Sequence, residues 1–216
     1  MQRFQILVSL TIIALLSGCT SQALSDADRS KIKSVTLDSK IETTPLVYHT
    51  LGTVLQTTPL VIASGRTVAV ITPDNLDGNP ELIEGKKITD FMASHGIRIE
   101  DIARKEFVQQ WNSRGIFPMV DKNGDADVTL KIWYYMLGVP NPLSPALRPG
   151  IGIDAVIQDK TGKEIWRKRS VTTPLNAAIP KHSWDEMETN PGLFKEACEM
   201  ETQKVVKELM DDLEKP

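Results

Sequence analysis

Four short runs of this sequence carry residue types that could do chemistry. Ser30 and Lys33 stand three residues apart, and Lys160-Thr161-Gly162 follows far downstream. A serine with a lysine one helical turn on could serve as an acyl-accepting nucleophile and its base. That chemistry also needs a Ser-x-Asn element, and no serine here is followed two residues later by asparagine. Asp121, Asn123 and Asp125 occupy positions 1, 3 and 5 of a calcium loop. Position 6 holds Ala126 where the tight bend needs glycine, and position 12 holds Ile132 where the bidentate glutamate belongs. Gly150-Ile151-Gly152 lacks the third glycine of a dinucleotide loop. His49, His95 and His182 are scattered, with no H-E-x-x-H pattern. The expectation is a chain with no catalytic residue, no metal site and no cofactor.

Cys19 has a stronger setting. Arg3 gives a positive start, and Ile6 to Leu16 form an apolar run of roughly ten residues, the length of a signal-peptide core. Crossing a bilayer takes about 20 apolar residues, so this run targets rather than spans. It ends Leu16-Ser17-Gly18-Cys19, which resembles the lipobox of bacterial lipoproteins. That resemblance implies cleavage before Cys19, a thioether-linked diacylglycerol on its sulfur, and an acylated new amine. Each buried CH₂ contributes about 0.8 kcal/mol, and two or three chains on one residue anchor stably where a single chain would not. Thr20 stands where enteric-type lipoproteins kept at the inner membrane carry aspartate, which points to the periplasmic face of the outer membrane.

Composition sets outer bounds. The formal charge of −3 becomes −4 once Arg3 leaves with the signal, which argues against nucleic-acid binding through bulk charge. Charged residues at 25% and hydrophobic residues at 41% are ordinary for a folded domain. Once Cys19 carries lipid, Cys198 has no partner for a disulfide, and it shares a helical stripe with Phe194, Val205, Leu209 and Leu213. It reads as a small buried hydrophobe. The expected organisation is a signal peptide over 1–18, a lipidated cysteine and flexible tether over 19–30, and one domain over 31–216. Fully extended, the tether from Thr20 to Arg29 would reach about 35 Å.

The elements follow from periodicity. Residues 35–42 alternate as a half-buried strand. Residues 43–65 contain no formally charged residue, and 68–71 read as a short buried strand. Residues 74–85 are rich in turn formers, with a short helix expected over 86–94. Ile99, Ile102, Ala103, Phe107 and Trp111 share one face of a helix over 99–114, which Gly115 ends. A strand over 116–120, Asn123-Gly124 as a hairpin turn, and a strand over 126–137 with Val128, Leu130, Ile132 and Tyr134 on one face come next. Four prolines make 139–149 an extended connection outside the sheet interior. Strands over 151–157 and 163–171 turn at 159–162. Residues 174–191 look irregular, and Asn190 and Pro191 cap a last helix to about Leu213. The fold class is α+β: a mainly antiparallel sheet of about 4–6 strands with two long helices packed on one face.

Four segments carry a family resemblance: "IRIEDIARKEFVQQW", "GDADVTLKIWYYMLGV", "IGIDAVIQDKTGKEIW" and "NPGLFKEACEMETQKVVKEL". Together they resemble the small α+β envelope lipoproteins of proteobacteria whose function is unknown, and more loosely the lipopolysaccharide-assembly and curli-secretion lipoproteins. The resemblance implies a fold and no catalytic residue. The functional expectation is a membrane-anchored, non-catalytic accessory or assembly factor with an envelope protein partner. The alternative is a periplasmic lipid- or amphiphile-binding module, lined by 43–65 and the proline-rich loop. Candidate interaction residues are Leu143 and Leu147, presented by that loop, and Arg167 and Arg169, whose forks suit a lipid phosphate or an acidic partner.

Overall fold

The computed structural model describes residues 21–49, 80–138, 146–176 and 178–215. Among these residues, five helices and six strands run in the order α1 (Asp26–Arg29), β1 (Val35–Leu37), β2 (Glu42–Thr43), β3 (Val47–His49), α2 (Pro80–Ser94), α3 (Ile99–Arg114), β4 (Ala126–Gly138), β5 (Arg148–Asp159), β6 (Glu164–Val171), α4 (Trp184–Thr189) and α5 (Pro191–Leu213). The fold is α+β, as its sequence pattern leads one to expect.

β4, β5 and β6 form an antiparallel meander. The turn between β5 and β6 is built from side chains. Asp159 accepts from the backbone N–H groups of Thr161 and Lys163 and from the Thr161 hydroxyl, and Gly162 takes the left-handed conformation at φ 81°. Along the other edge of β4 lie β1, β2 and β3, one after another and all parallel to it. The sheet is therefore mixed. The run 35–42 does not make one strand, because the Asp38 carboxylate folds back on the Lys40 N–H at 2.9 Å. Pro45 then separates β2 from β3, having no N–H to donate to a ladder.

The Asn123-Gly124 turn forms, with Asn123 at φ 59°, but the expected hairpin does not. Its arms never pair with each other. β1 lies between them, with Val35 bridged in parallel to Met119 on one side and to Ala126 on the other. The Asp125 carboxylate accepts from the N–H groups of Lys33 and Ser34 at 2.9 and 3.2 Å, and Gly124 N–H donates to the Thr36 hydroxyl. The acidic loop holds the entering chain.

One sheet face is packed by helices. Ile151, Ile153, Ala155 and Ile157 of β5 are all fully buried. They meet α5, whose stripe Phe194, Cys198, Val205, Leu209 and Leu213 is likewise at 0% exposure. α3 packs on α5, and its buried face is Ile99, Ile102, Ala103, Phe107 and Trp111. Burial holds the Cys198 thiol well above its usual range. In β4 a bulge between Ile132 and Tyr134 shifts the alternation. Tyr135 and Leu137, rather than Tyr134, continue the buried row.

Two further expectations change. Residues 80–85 are helical, since Pro80 opens α2 where its fixed φ and missing N–H cost nothing. Pro149 lies inside β5, opposite Leu137. It is tolerated because the β6 ladder stops at Gly152, so among the described residues no strand beside Pro149 calls for an N–H. The uncharged stretch from residue 50 onward and the 68–71 strand lie outside the described residues.

α2 is held against β3 by close backbone approach. A Cβ on Gly85 would collide with the Leu46 carbonyl oxygen. Helix propensity alone makes Gly→Ala favourable by about 1 kcal/mol. Here the sign is expected to reverse: Gly85→Ala should destabilise by roughly 1–3 kcal/mol, the usual cost of overpacking. A thermal melt with an unchanged or raised midpoint would refute the contact.

Candidate interaction surface

The chain just after Cys19 is part of the fold. Gln22 and Arg167 exchange backbone hydrogen bonds at 2.9 and 3.0 Å in an antiparallel bridge. The Gln22 side chain also donates to the Glu164 carbonyl at 3.0 Å. Leu24 is 4% exposed. Ser25 caps α1, and Arg29 Nη2 donates to the carbonyls of Leu213 and Lys215 at the end of α5. The expected flexible tether over 19–30 is corrected: from Gln22 onward it is fixed, because Leu24 adds to the core and Arg29 satisfies orphan carbonyls at a helix terminus. Cys19, Leu16, Ser17 and Gly18 lie outside the described residues.

The sheet face turned away from the helices carries a charge cluster. Asp154 on β5 is 3% exposed. Across the β5–β6 ladder it stands opposite Arg169, with Arg167 next on the same face. Arg167 grips it bidentately, Nη2 to Oδ2 at 2.6 Å and Nε to Oδ1 at 3.1 Å, and Arg169 Nε reaches Oδ2 at 2.9 Å. Arg167 also meets Glu164 at 3.4 Å. The Arg169 guanidinium lies 5.7 Å from the Trp133 ring centroid, within cation–π range. Trp133 in turn crowds Gly152: a Cβ there would sit 3.0 to 3.1 Å from the indole. Gly150 makes similar room for the Tyr134 ring. The structure thus brings Arg167 and Arg169 together, around an internal carboxylate the sequence reading missed. The signal was available, since counting back across the Gly162 turn sets the acidic residue of β5 against the R-x-R of β6.

Leu147 offers no surface. It is 3% exposed, and its backbone is bridged to His182, with N–H···O distances of 2.7 and 3.2 Å. Its expected presentation by the proline-rich loop is corrected, as core burial claims it first. Leu143 lies outside the described residues.

α5 also buries a glutamate. Glu201 is at 0% exposure, with Oε1 lacking a hydrogen-bond partner among the described residues and Oε2 3.4 Å from Asn176 Nδ2. Burial raises its pKa, against the opposing pull of Thr172, Asn176, Lys204 and Arg148. A carboxyl that holds its proton more tightly when folded than unfolded costs stability as pH rises. That loss should begin above the unfolded value of 4.5 and be complete above the raised native one. Glu201→Gln should flatten this decline without lowering stability at pH 7, as read by urea unfolding across the acidic-to-neutral range. A steeper decline in the variant would overturn the assignment.

A groove of about 220 Å³ runs between α3 and α5, lined by Ile102, Lys105, Glu106, Glu196, Glu199, Met200 and Gln203. Among the described residues, no group of three or more His, Cys, Asp or Glu side chains could hold a metal ion, and no helix is long and apolar enough to cross a membrane.

No family model matches the sequence, and no curated protein matches it. Lipoproteins are among the solved structures that overlap it. A Xanthomonas campestris protein of the DUF330 family overlaps 51% of this chain and 57% of its own, at 12% identity and a TM-score of 0.38. A PelC dodecamer from Paraburkholderia phytofirmans gives a TM-score of 0.36 over 90% of this chain and 92% of its own, at 12% identity. A minor lipoprotein from Acinetobacter baumannii gives 0.32 over 51% and 84%, again at 12% identity. This chain spans little more than half of the Xanthomonas protein. Overlaps at these scores carry no argument about what the chain does.

Proposed function

We propose that this protein is a membrane-anchored, non-catalytic lipoprotein of the bacterial envelope that serves as an accessory or assembly factor for an envelope protein. It is held through Cys19 at the periplasmic face of the outer membrane. The observation that carries the reading is the run Leu16-Ser17-Gly18-Cys19 after a short apolar core. Gln22, three residues after that cysteine, is hydrogen-bonded into the fold. A lipid on Cys19 would therefore hold the domain close to the membrane surface.

The amphiphile-binding alternative draws no support from the described groove. Its 220 Å³ falls below the roughly 300–1,000 Å³ of ordinary ligand sites, and three glutamates line it.

The test is the mass of protein extracted gently from membranes. The mature chain is expected to start at Cys19 and to carry diacylglyceryl and a further acyl chain. Cys19→Ala should leave an uncleaved, unmodified precursor. Processing of that variant at residue 19 with continued membrane attachment would refute the anchor. Cross-linking in membranes should then recover an envelope protein, whereas stoichiometric lipid retained without one would favour the amphiphile binder.

A further inference from the structure

We infer that the Val171 end of β6, with Arg169, Val171 and Leu175, is the surface that rests on the phospholipid headgroups. The inference depends on the lipid anchor proposed above and goes beyond it by orienting the domain.

Chain length comes first. Gln22 is fixed to Arg167, and three residues reach at most about 10 Å. A domain of this size has a radius of gyration of roughly 16 Å. An acylated Cys19 therefore cannot serve a distant side of the molecule. The bridge is antiparallel, so at Gln22 the backwards direction of the chain points along β6 towards Arg169 and Val171.

The surface found there has the right chemistry. Val171 at 39% and Leu175 at 71% are the exposed large hydrophobics among the described residues, and both lie at or just past the end of β6. Val171 stands opposite Gly152, the same residue that Trp133 covers. Arg169 flanks this apolar spot and is about half exposed. Its charge is only partly answered, since Asp154 is shared with Arg167, while Glu164 lies at the far end of the strand. A guanidinium and an indole next to an exposed valine, with exposed Leu175 four residues further along the chain, match the boundary between phosphate and acyl chain, where each group finds its own solvent.

The test uses the full lipidated chain in vesicles of phosphatidylethanolamine and phosphatidylglycerol that contain a headgroup-nitroxide lipid. An environment-sensitive dye is placed on Leu175→Cys or, as a control, on Lys105→Cys of α3, a position whose side chain is 71% exposed. Cys198 is buried and takes no label. Nitroxide quenching at 175, with none at 105, is the expected result. A chain that floats with the vesicles while both labels stay equally bright would overturn the orientation and leave the anchor standing. A label at 175 shielded from aqueous iodide yet unquenched by nitroxide would also overturn it, marking a protein or a second copy as the occupant. A chain without acyl mass that fails to float would remove the anchor, and the orientation with it.

Discussion

Trp111→Ala is expected to lower unfolding stability by about 3–5 kcal/mol, the range for removing a large aromatic from a core. Trp111 is at 0% exposure on the last turn of α3. It stacks at 5.4 Å on Phe107, and its indole N–H donates to the Phe117 carbonyl at 2.7 Å. The substitution opens a cavity and also leaves a buried carbonyl without a donor, which adds about 1–3 kcal/mol where water cannot enter. Domains of ordinary stability have about 5–15 kcal/mol to lose, so the variant should be partly unfolded at modest temperature. Urea unfolding measures the change, and a loss below about 1 kcal/mol would contradict the packing described.

Trp166→Ala should cost a similar ~3–5 kcal/mol for a different reason. Trp166 is fully buried on β6, opposite Ile157. Its indole N–H has no hydrogen-bond partner among the described residues, so the side chain contributes mainly volume. The contrast lies in the phenylalanine variants. Trp166→Phe loses some volume and also removes an unsatisfied donor, so it should cost under about 2 kcal/mol. Trp111→Phe strands the Phe117 carbonyl and should cost distinctly more. Equal losses in the two phenylalanine variants would mean the Trp111 hydrogen bond contributes nothing.

Elements with local causes were legible in the sequence. α3 starts and stops where its apolar face and Gly115 require, α5 where Asn190-Pro191 and Leu213 do, and the β5–β6 turn where Asp159 to Gly162 do. The start of α2 carried the same Asn-Pro signature at 79–80, but the surrounding turn formers outweighed it. α4 was missed although Ser183 and Glu186 spell a capping box, which the structure forms in full. What no local pattern could reveal is the insertion of β1 between Met119 and β4. Asn-Gly specifies a turn, while the partner of each arm is decided by a strand about 90 residues upstream. The bulge after Ile132 was hidden for a related reason, since one extra residue reverses which side chain faces the helices. Of the candidate site, Arg167 and Arg169 were found by charge and position. Asp154 was not, because an acid in the middle of an apolar strand shows its purpose only when the neighbouring strand is in register.

The parallel placement of β1, β2 and β3 along β4 has a consequence for the order of assembly. β4, β5 and β6 can zip up from adjacent sequence, and α5 can close over them. The three short strands must wait for β4, which emerges much later in a chain made from its N-terminus. Contacts this distant in sequence carry their loop-closure cost before any pairing repays it. Until β4 arrives, the early strands leave unpaired backbone groups open to other chains, and their docking closes the sheet last. The same step brings home the segment next to Cys19, because Gln22 needs β6 and Arg29 needs the end of α5. The segment from Gln22 to Arg29 is thus locked only once β6 and the end of α5 are in place.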